Sequence, residues 1–479
     1  MNKITYIISL LLTLSGCATV RQTSSSVSSS TVESGISREN AEKTRVILRE
    51  NAMRLSTDAT RAFSYDPPGS LVTTDKPIET QTKQIFAFSD AGVFFSNKHD
   101  GARLNAIQKV NDSSYIALIS PENAPVNFSP WYGFTAWSSK PRTISLTLTY
   151  RDGGQRYIPK LSLKPSADAA SWKKIDSSAF TQHFDSAGRR VTSATMRLAL
   201  TKDTLWVSAQ ELFTSRDFEA WASSLARTNP AFVRKSVLGQ SSLGKPIIRI
   251  DISEAPPNAP CVIIVSRQHP PEHTGTLALL PFVETLCANT ALAKEFRQKY
   301  RVFLVPCVNP DGVDAGHWRH NAHGIDLNRD WFNFNQPETR MIRDALLKMR
   351  DSLKTNFAFG IDFHTTQHDV FYTLSNPSGL TAEDSTKTEL MQLFTKEAEI
   401  RSKTVQTWLE RTQKLFPTYQ VLIDDSPRTP TGATSARWFD RILLAPAVTY
   451  EAGDDTDREL IKQIGVGSAN VLMEMLLKK

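Results

Sequence analysis

The spacing of apolar and polar residues divides the chain into two parts that meet near residue 209. Between about residues 60 and 208 the apolar segments are short, they alternate or run continuously, and turn-forming clusters separate them. This spacing is typical of short strands and predicts a β-sandwich over residues 56–208. The clearest predicted strands in this part are KQIFAFSDAGVFFS, YIALIS, TISLTLTY, MRLAL and TLWVSAQ. Its four tryptophans, which suit either a core or a carbohydrate-binding platform, are Trp131, Trp137, Trp172 and Trp206.

After residue 209, segments with helical periodicity alternate with short apolar segments. The first is the helix SRDFEAWASSLARTN, for which Ser215 is the expected N-cap. The predicted strands PIIRIDI, CVIIVS, RVFLVP, FAFGIDF and LLAPAVTY are apolar enough to be buried on both faces. Alternation of this kind predicts an α/β domain over residues 209–479, built on a mixed, largely parallel sheet flanked by helices.

The N-terminus has the pattern of an export signal. MNKITYIISLLLTLSGC contains one early lysine and an apolar run too short to span a membrane, which predicts a signal peptide over residues 1–16. Its end resembles a bacterial lipobox, which implies that Cys17 is lipidated; the alternative is an ordinary cleaved signal. Residues 17–55 are then a Ser-rich tether with a short helix at 38–54. We expect a lipid anchor in the bacterial cell envelope, on the outer membrane facing the periplasm.

The length, composition and charge of the chain indicate a globular protein and argue against nucleic-acid binding. The chain has 479 residues, 40% of them hydrophobic and 22% charged, which are values of a globular protein with two domains. The net charge of +7 is dispersed, and without a basic run or stripe it argues against a nucleic-acid partner. Besides Cys17 there are three cysteines, an odd number, so at most one disulfide can form among Cys261, Cys287 and Cys307, and the sequence assigns none.

Residues able to bind a metal stand at the ends of three predicted strands. His269 and Glu272 follow CVIIVS, His364 follows FAFGIDF, and Glu451 follows LLAPAVTY. Ligand sites of such sheets gather at the carboxyl ends of the strands. Two histidines and one carboxylate with an open position form a catalytic zinc arrangement. Taken singly, each histidine also fits a hydrogen-bonded surface role.

Two arginines, Arg319 and Arg329, lie in a segment rich in Asn, Asp and Gly, NPDGVDAGHWRHNAHGIDLNRDW. A scaffold seldom needs two arginines among so many turn formers. A site that binds a carboxylate does, because a guanidinium holds it with a fixed fork of donors.

These segments together resemble the M14 zinc carboxypeptidases. The matching pieces are RQHPPEHTG, the arginine-containing segment, DFHTT and VTYEAGD, in family order over roughly residues 210–479. The β-rich part with NFSPWYGFTAW is similar to that of the cytosolic-carboxypeptidase branch, which carries a β-sandwich before its catalytic domain.

The resemblance implies a role for each matching residue. His269, Glu272 and His364 would bind one Zn²⁺ per chain, and Glu451 would be the general base. Arg319 would stabilise the oxyanion, Asn328 and Arg329 would bind the substrate's terminal carboxylate, and Asp326 would orient His269.

The chain departs from the family pattern in the predicted substrate pocket. Many members have a tyrosine about 22 residues before the base, where this chain has Thr429. Aligning Trp438 with a family tryptophan places Ala436 at the specificity position, with Arg437 beside it. An inward Arg437 would suit an acidic side chain, whereas the alternative is an exposed arginine.

The expected activity is zinc-dependent hydrolysis of the C-terminal peptide bond of peptides or proteins. Two alternatives remain open: cleavage of peptidoglycan stem peptides as a carboxypeptidase or amidase, and an inactive binding protein that retains the zinc site.

Overall fold

The computed structural model describes residues 78–478, except for the segments 124–128, 152–156, 165–167, 189–190, 375–387, 418, 420–421 and 425–433. All described residues belong to one compact unit. The predicted signal peptide, Cys17, the tether, the helix at 38–54 and Thr429 lie outside the described residues.

The β-rich part consists of two sheets with alternating buried and accessible positions. The first sheet has the strand order β1 (Ile85–Phe88), β2 (Val93–Ser96), β5 (Gly133–Ser138), β11 (Leu205–Ser208), β7 (Lys160–Ser162) and β8 (Lys173–Lys174). The second has the order β3 (Ala106–Asn111), β4 (Ser114–Ile119), β6 (Arg142–Tyr150), β10 (Val191–Leu200) and β9 (Phe180–Phe184). Short 3₁₀ helices at Ala169–Ser171 and Ser177–Ala179 connect strands.

Side chains from both sheets form one apolar core. On β6, for example, Ile144, Leu146 and Leu148 are buried while the residues between them are more accessible, which is the period-2 pattern of a sheet covered on one face. Trp131 and Trp172 are buried in this part, whereas Trp137 and Trp206 are half-buried.

The second part is built on an eight-stranded mixed sheet. Its order is β12 (Val233–Gln240), β13 (Pro246–Ile252), β15 (Arg301–Val305), β14 (Cys261–Ser266), β16 (Phe357–Thr366), β19 (Ala447–Gly453), β17 (Val370–Tyr372) and β18 (Ile423–Asp424). The four central strands, β15, β14, β16 and β19, are parallel to one another. Their carboxyl ends therefore meet at one edge of the sheet.

Helices cover both faces of this sheet. They are α1 (Ser215–Thr228), α2 (His273–Leu286), α3 (Ala291–Lys299), α4 (Pro310–Ala315), α5 (Pro337–Ser352), α6 (Thr388–Leu415), α7 (Ser435–Ile442) and α8 (Arg458–Leu477). One apolar core joins the sheet to α1, α2, α3, α6 and α8, and a second joins its other face to α5 and α7. The predicted fold class, a strand-rich part followed by a mixed sheet between helices, is confirmed.

Within the described residues, α8 is long and apolar enough to cross a membrane, and the sharply bent pair α2 and α3 passes the same test when taken together. More than half of the apolar stretch of α8 is buried inside the protein, where it packs against α2. Its packing is that of a core helix.

The N-cap of α1 is Thr214, because the backbone N–H of Thr214 donates to Asp217, 2.7 Å away. The expected N-cap, Ser215, instead lies inside the helix and donates through its backbone to Asp314. The cysteines at 261, 287 and 307 are buried free thiols.

Candidate active site

Three side chains converge at the carboxyl edge of the central strands. His269 lies three residues beyond β14, Glu272 is the residue before α2, and His364 lies within β16. The Glu272 carboxylate lies between the two rings: its Oε1 is 2.7 Å from His269 Nδ1 and its Oε2 is 2.6 Å from His364 Nδ1. All three residues are buried, and one possible ligand atom from each lies within 4.8 Å of the others.

The other ring nitrogen of each histidine faces a carboxylate. His269 Nε2 is 3.0 Å from Asp326 Oδ1, and His364 Nε2 is 2.7 Å from Asp362 Oδ2. Such partners fix the orientation of a histidine whose opposite nitrogen binds a metal. Two oriented Nδ1 atoms and one carboxylate fit the nitrogen and oxygen ligands that zinc takes in a catalytic site.

The charges in this cluster shift its pKa values. Burial by itself would lower the pKa of His364, but Asp362 and Glu272 raise it well above its usual value. Burial would raise the pKa of Glu272, and the neighbouring His269 and His364 hold it well below its ordinary range instead. Glu272 is therefore ionised, which is the state that a carboxylate needs in order to bind a metal.

Glu451 lies beside this cluster within β19, directly paired with His364 of β16 in the parallel register. Its Oε2 is inaccessible and has no hydrogen-bond partner among the described residues. Burial, together with the charge of Glu272, raises the pKa of Glu451 to about 8. A divalent cation held by the neighbouring residues would lower that pKa, because it favours the ionised carboxylate.

Both His364 and Glu451 lie inside their strands, not beyond them as the sequence indicated. β16 continues to Thr366 and β19 to Gly453, so both residues have side-chain directions fixed by the sheet. This placement is more rigid than a loop position would be.

Arg319 is buried and paired with Asp326. Its Nε and Nη2 each lie 2.7 Å from Asp326 Oδ2, while Asp326 Oδ1 faces His269. Burial would raise the pKa of Asp326, but the charges of Arg319 and His269 hold it well below its ordinary value. Asp326 thus connects Arg319 to His269 through one carboxylate.

Asn328 and Arg329 lie in a 3₁₀ helix, Leu327–Arg329, that Asp326 caps through the backbone N–H of Asn328. The side-chain Oδ1 of Asn328 accepts a hydrogen bond from the backbone of Ser435 at 3.0 Å, and its Nδ2 is 3.2 Å from His364 Nε2. In this structure the Asn328 amide therefore connects α7 to His364, and its role as a substrate clamp stays a prediction. Arg329 is half-buried, and one of its terminal nitrogens donates to the Asn328 carbonyl.

Of the two predicted pocket residues, Ala436 is buried and Arg437 is half-buried rather than exposed. Burial, with the charges of Arg441 and Arg329 nearby, lowers the pKa of Arg437 to about 10. Its Nη1 is inaccessible and lacks a hydrogen-bond partner within the described part of the chain. Arg437 therefore adds positive charge next to Arg329.

Asp362 and Gln268 are site residues that the sequence analysis missed. The Gln268 amide donates to Asp362 Oδ2 at 2.6 Å and accepts from Trp331 Nε1 at 2.7 Å, while Ser435 Oγ also donates to Asp362. The signal for Asp362 was its position two residues before His364, since residues i and i+2 of a strand share a face. Gln268 has no comparable signal.

Gly275 allows α2 to approach β16 closely. A Cβ at this position would lie 2.5 Å from the carbonyl oxygen of His364 and 2.9 Å from its carbon. The backbone N–H of Gly275 also donates to Thr365 Oγ1 at 2.7 Å. The helix that follows Glu272 is thus held against the strand that carries His364.

The comparisons with known proteins agree with this arrangement. Residues 218–464, just over half of the chain, match the family model of the M14 peptidases, described as zinc carboxypeptidases. The chain belongs to the M14 zinc carboxypeptidase family. Its predicted membership is confirmed, and members of the family are zinc-dependent enzymes.

Relatives of this M14 protein include cytosolic carboxypeptidase 6 of Mus musculus, 23% identical over 285 residues, which cover 55% of this chain and 52% of the relative. Cytosolic carboxypeptidase 6 of Homo sapiens is 23% identical over 293 residues, which cover 57% of each chain. The M14 chain thus spans little more than half the length of these two relatives.

Solved structures show the same fold. A metallo-carboxypeptidase from Burkholderia cenocepacia superposes with a TM-score of 0.63 at 15% identity, covering 81% of this chain and 99% of that one. A metallo-carboxypeptidase from Pseudomonas aeruginosa, in complex with (2-guanidinoethylmercapto)succinic acid, gives 0.58 at 18% identity and covers 80% and 99%. Because both matches extend over most of this chain, they include strands of the β-rich part as well as the M14 region.

Proposed function

We propose that this protein is a zinc metallocarboxypeptidase that hydrolyses the C-terminal peptide bond of peptides or proteins. The observation that carries the proposal is the convergence of His269, Glu272 and His364 in one buried cluster with Glu451 on the adjacent strand. Membership of the M14 family supports it.

The three clustered residues would hold one Zn²⁺ per chain. A bound zinc ion lowers the pKa of a coordinated water toward ~7 and polarises a carbonyl group. Asp326 and Asp362 contact the two Nε2 atoms and so leave both Nδ1 atoms on the side of Glu272, where they would be available as ligands.

Glu451 would act as the general base. It would accept a proton from the attacking water and pass it to the leaving amine, which requires a carboxylate within hydrogen-bond reach of that water. Its inaccessible, unpartnered Oε2 suits this task, because no competing hydrogen bond among the described residues has to be broken.

Arg319 would stabilise the negative charge that develops on the carbonyl oxygen. Asp326 engages its Nε and Nη2, so the guanidinium is fixed in place before substrate arrives. A fixed donor in a buried site costs no reorganisation during the reaction, and loss of one such donor typically lowers the rate ~10²–10³-fold.

Arg329 would bind the free carboxylate of the substrate and so restrict the enzyme to chain ends. We expect Arg329→Ala to raise KM by about 10–100-fold with little change in kcat, since a hydrogen bond to a charged group contributes ~1.5–3 kcal/mol. The measurement is steady-state kinetics on one peptide with a free and with an amidated C-terminus.

Arg343, a half-buried arginine of α5 that pairs with Asp344, offers a control for the loss of one positive charge. Arg343→Ala should leave KM unchanged. If Arg329→Ala also leaves KM unchanged for the free carboxylate, Arg329 has no role in binding it.

The positive charge around Arg437 and Arg329 favours substrates with an acidic C-terminal residue. Arg437 lies next to Ala436, which the family resemblance places at the specificity position, and it is not exposed to solvent as a surface arginine would be. An anionic side chain in this pocket would neutralise a guanidinium that lacks a full set of hydrogen bonds among the described residues.

A substrate panel tests the proposed function. Linear peptides ending in acidic, basic, aliphatic and aromatic residues are assayed next to purified muropeptides, with chelator and after zinc is restored. Chelator-sensitive release of the last residue from linear peptides supports the proposal, with acidic ends cleaved fastest. Turnover of muropeptides alone would favour the peptidoglycan alternative, and a zinc-loaded protein that cleaves neither would favour an inactive binding protein.

We further propose that Cys17 is lipidated and anchors the enzyme in the bacterial envelope, facing the periplasm. The lipobox-like ending of the predicted signal peptide supports this location. In a bacterial host, Cys17→Ser should move the protein from the membrane fraction to the soluble periplasmic fraction. A variant that stays in the membrane fraction would contradict the anchor.

A further inference from the structure

Glu122 lies in the β-rich part, three residues after β4, yet its side chain reaches the segment that carries Arg319. Its Oε2 accepts the backbone N–H of Trp318 at 2.7 Å, and its Oε1 accepts those of Arg319 at 3.0 Å and His320 at 2.9 Å. One carboxylate thus holds three consecutive backbone amides. Glu122 and Arg319 are 197 positions apart in the chain.

The Glu122 carboxylate is fully buried and is stabilised as an ion. Burial by itself would raise its pKa, but His320, His317 and the buried Arg103 hold that pKa well below its usual range. The imidazole Nδ1 of His320 lies 3.3 Å from Oε1. Glu122 is therefore ionised at any pH at which the protein would work, and both of its oxygens act as acceptors.

The remainder of the segment is fixed to the same part of the protein. The Trp318 ring is buried in the sandwich core, and its Nε1 donates to the Trp131 carbonyl at 3.0 Å. The Asp314 carbonyl at the end of α4 accepts the backbone N–H of Gly101 at 2.8 Å. The backbone of Arg319 is thus held from the β-rich part, whereas its guanidinium is held by Asp326 in the M14 region.

We propose that Glu122 is a positioning residue, through which the β-rich part sets the place of the Arg319 guanidinium beside the metal cluster. The contacts run from Glu122 to the Arg319 backbone, from the Arg319 side chain to Asp326, and from Asp326 to His269. The polar contacts of the Glu122 side chain within the described part of the chain go to residues 318–320 and not to the proposed metal ligands, so its effect would pass through Arg319. This inference rests on the proposed role of Arg319 in the reaction.

The test is Glu122→Gln, which keeps the shape of the side chain but replaces one acceptor oxygen by an amide that faces a backbone N–H. We expect kcat to fall about 10–100-fold with KM and zinc content unchanged, since a misplacement of ~1 Å can cost ~10²-fold in rate. Amide hydrogen exchange of the metal-free protein provides a second readout, in which residues 317–320 of the variant should lose protection. Glu122→Asp, which keeps both acceptors on a shorter side chain, should recover part of kcat.

A double-mutant cycle with Arg319→Lys separates this role from a general structural one. If Glu122 acts through Arg319, Glu122→Gln should cause little further loss of kcat in the Arg319→Lys background. Leu148→Ala opens a cavity in the same sandwich core and leaves the hydrogen bonds of Glu122 in place, so it should lower stability but not kcat.

The results distinguish the two proposals. The positioning role would be overturned if Glu122→Gln lowered kcat equally in the wild type and in the Arg319→Lys background. It would also be overturned if folded Glu122→Gln kept both its kcat and the normal amide hydrogen exchange of residues 317–320. An Arg319→Lys variant with full activity would instead overturn the proposed function of Arg319. Should Glu122→Gln not fold, the same cycle is run with Glu122→Asp, which keeps the charge.

Discussion

Glu451→Gln is expected to lower kcat by about 10²–10⁴-fold, the usual contribution of a general base, while the protein keeps its zinc. Glutamine has nearly the same shape, but its amide cannot accept the proton of the attacking water. Glu451 pairs with His364 across two parallel strands, and the predicted zinc ligands remain complete without it. The measurement combines kcat on a peptide with a free C-terminus with zinc per chain from elemental analysis.

Glu459→Gln is the matched control, because this glutamate is exposed on α8, eight residues further along the chain. It should change neither quantity. Wild-type turnover by zinc-loaded Glu451→Gln would remove Glu451 from the role of base, and loss of zinc from that variant would show that Glu451 helps to hold the ion.

Gly275→Ala is expected to reduce both zinc affinity and stability. The new Cβ would lie 2.5 Å from the His364 carbonyl oxygen, so either α2 or β16 has to move. Overpacking of this kind typically costs ~1–3 kcal/mol. Because Glu272 precedes α2 and His364 lies on β16, the shift separates two proposed ligands, and we expect zinc affinity to fall about 10–100-fold, as it does when the partners of metal ligands are lost. Zinc titration and thermal unfolding of the metal-free protein measure the two effects.

Gly465→Ala provides the control for this prediction. A Cβ at Gly465 would lie 2.6 Å from the Ala278 carbonyl oxygen, so it also forces α2 away from a neighbour, but that neighbour is α8 and not the strand that carries His364. We expect it to lower the melting temperature and to leave zinc affinity unchanged. Equal zinc affinity in Gly275→Ala and the wild type would show that the contact between α2 and β16 does not position the ligands.

Much of the fold could be predicted because its signals are local. The residues of a strand indicate by themselves which of its faces are buried. Apolar residues alternate in β6, which is covered on one face, and run continuously in β14, which is buried on both faces. The convergence of His269, Glu272 and His364 followed from one topological rule, since the carboxyl ends of parallel strands meet at one edge. The structure places these three side chains together, and Glu451 beside them.

The burial and the contacts of single side chains could be predicted less fully, because they depend on which remote segments pack around them. For Arg437 the sequence leaves an inward and an exposed position open, and α7 places it half-buried, where the charge of Arg329 helps to lower its pKa. The amide of Asn328 contacts Ser435 and His364 in this structure, and its predicted role in binding the substrate stays a prediction. Both depend on where α7 packs, and α7 is more than 100 residues away from Asn328 in the chain.

The sequence by itself determined the order of the two parts, the strands that deliver the metal-binding side chains and the family to which the chain belongs. The parts and the strands follow from apolar periodicity and from residue types at fixed positions relative to strands, and the family follows from the resemblance of the segments that carry those residues. Only the tertiary structure decided how the chain supports those side chains: Asp362 behind His364, Gly275 against its carbonyl, and Glu122 on the backbone of Arg319. The reason is that these contacts use backbone groups and packing distances between remote segments, and every residue has a backbone N–H and carbonyl whatever its side chain.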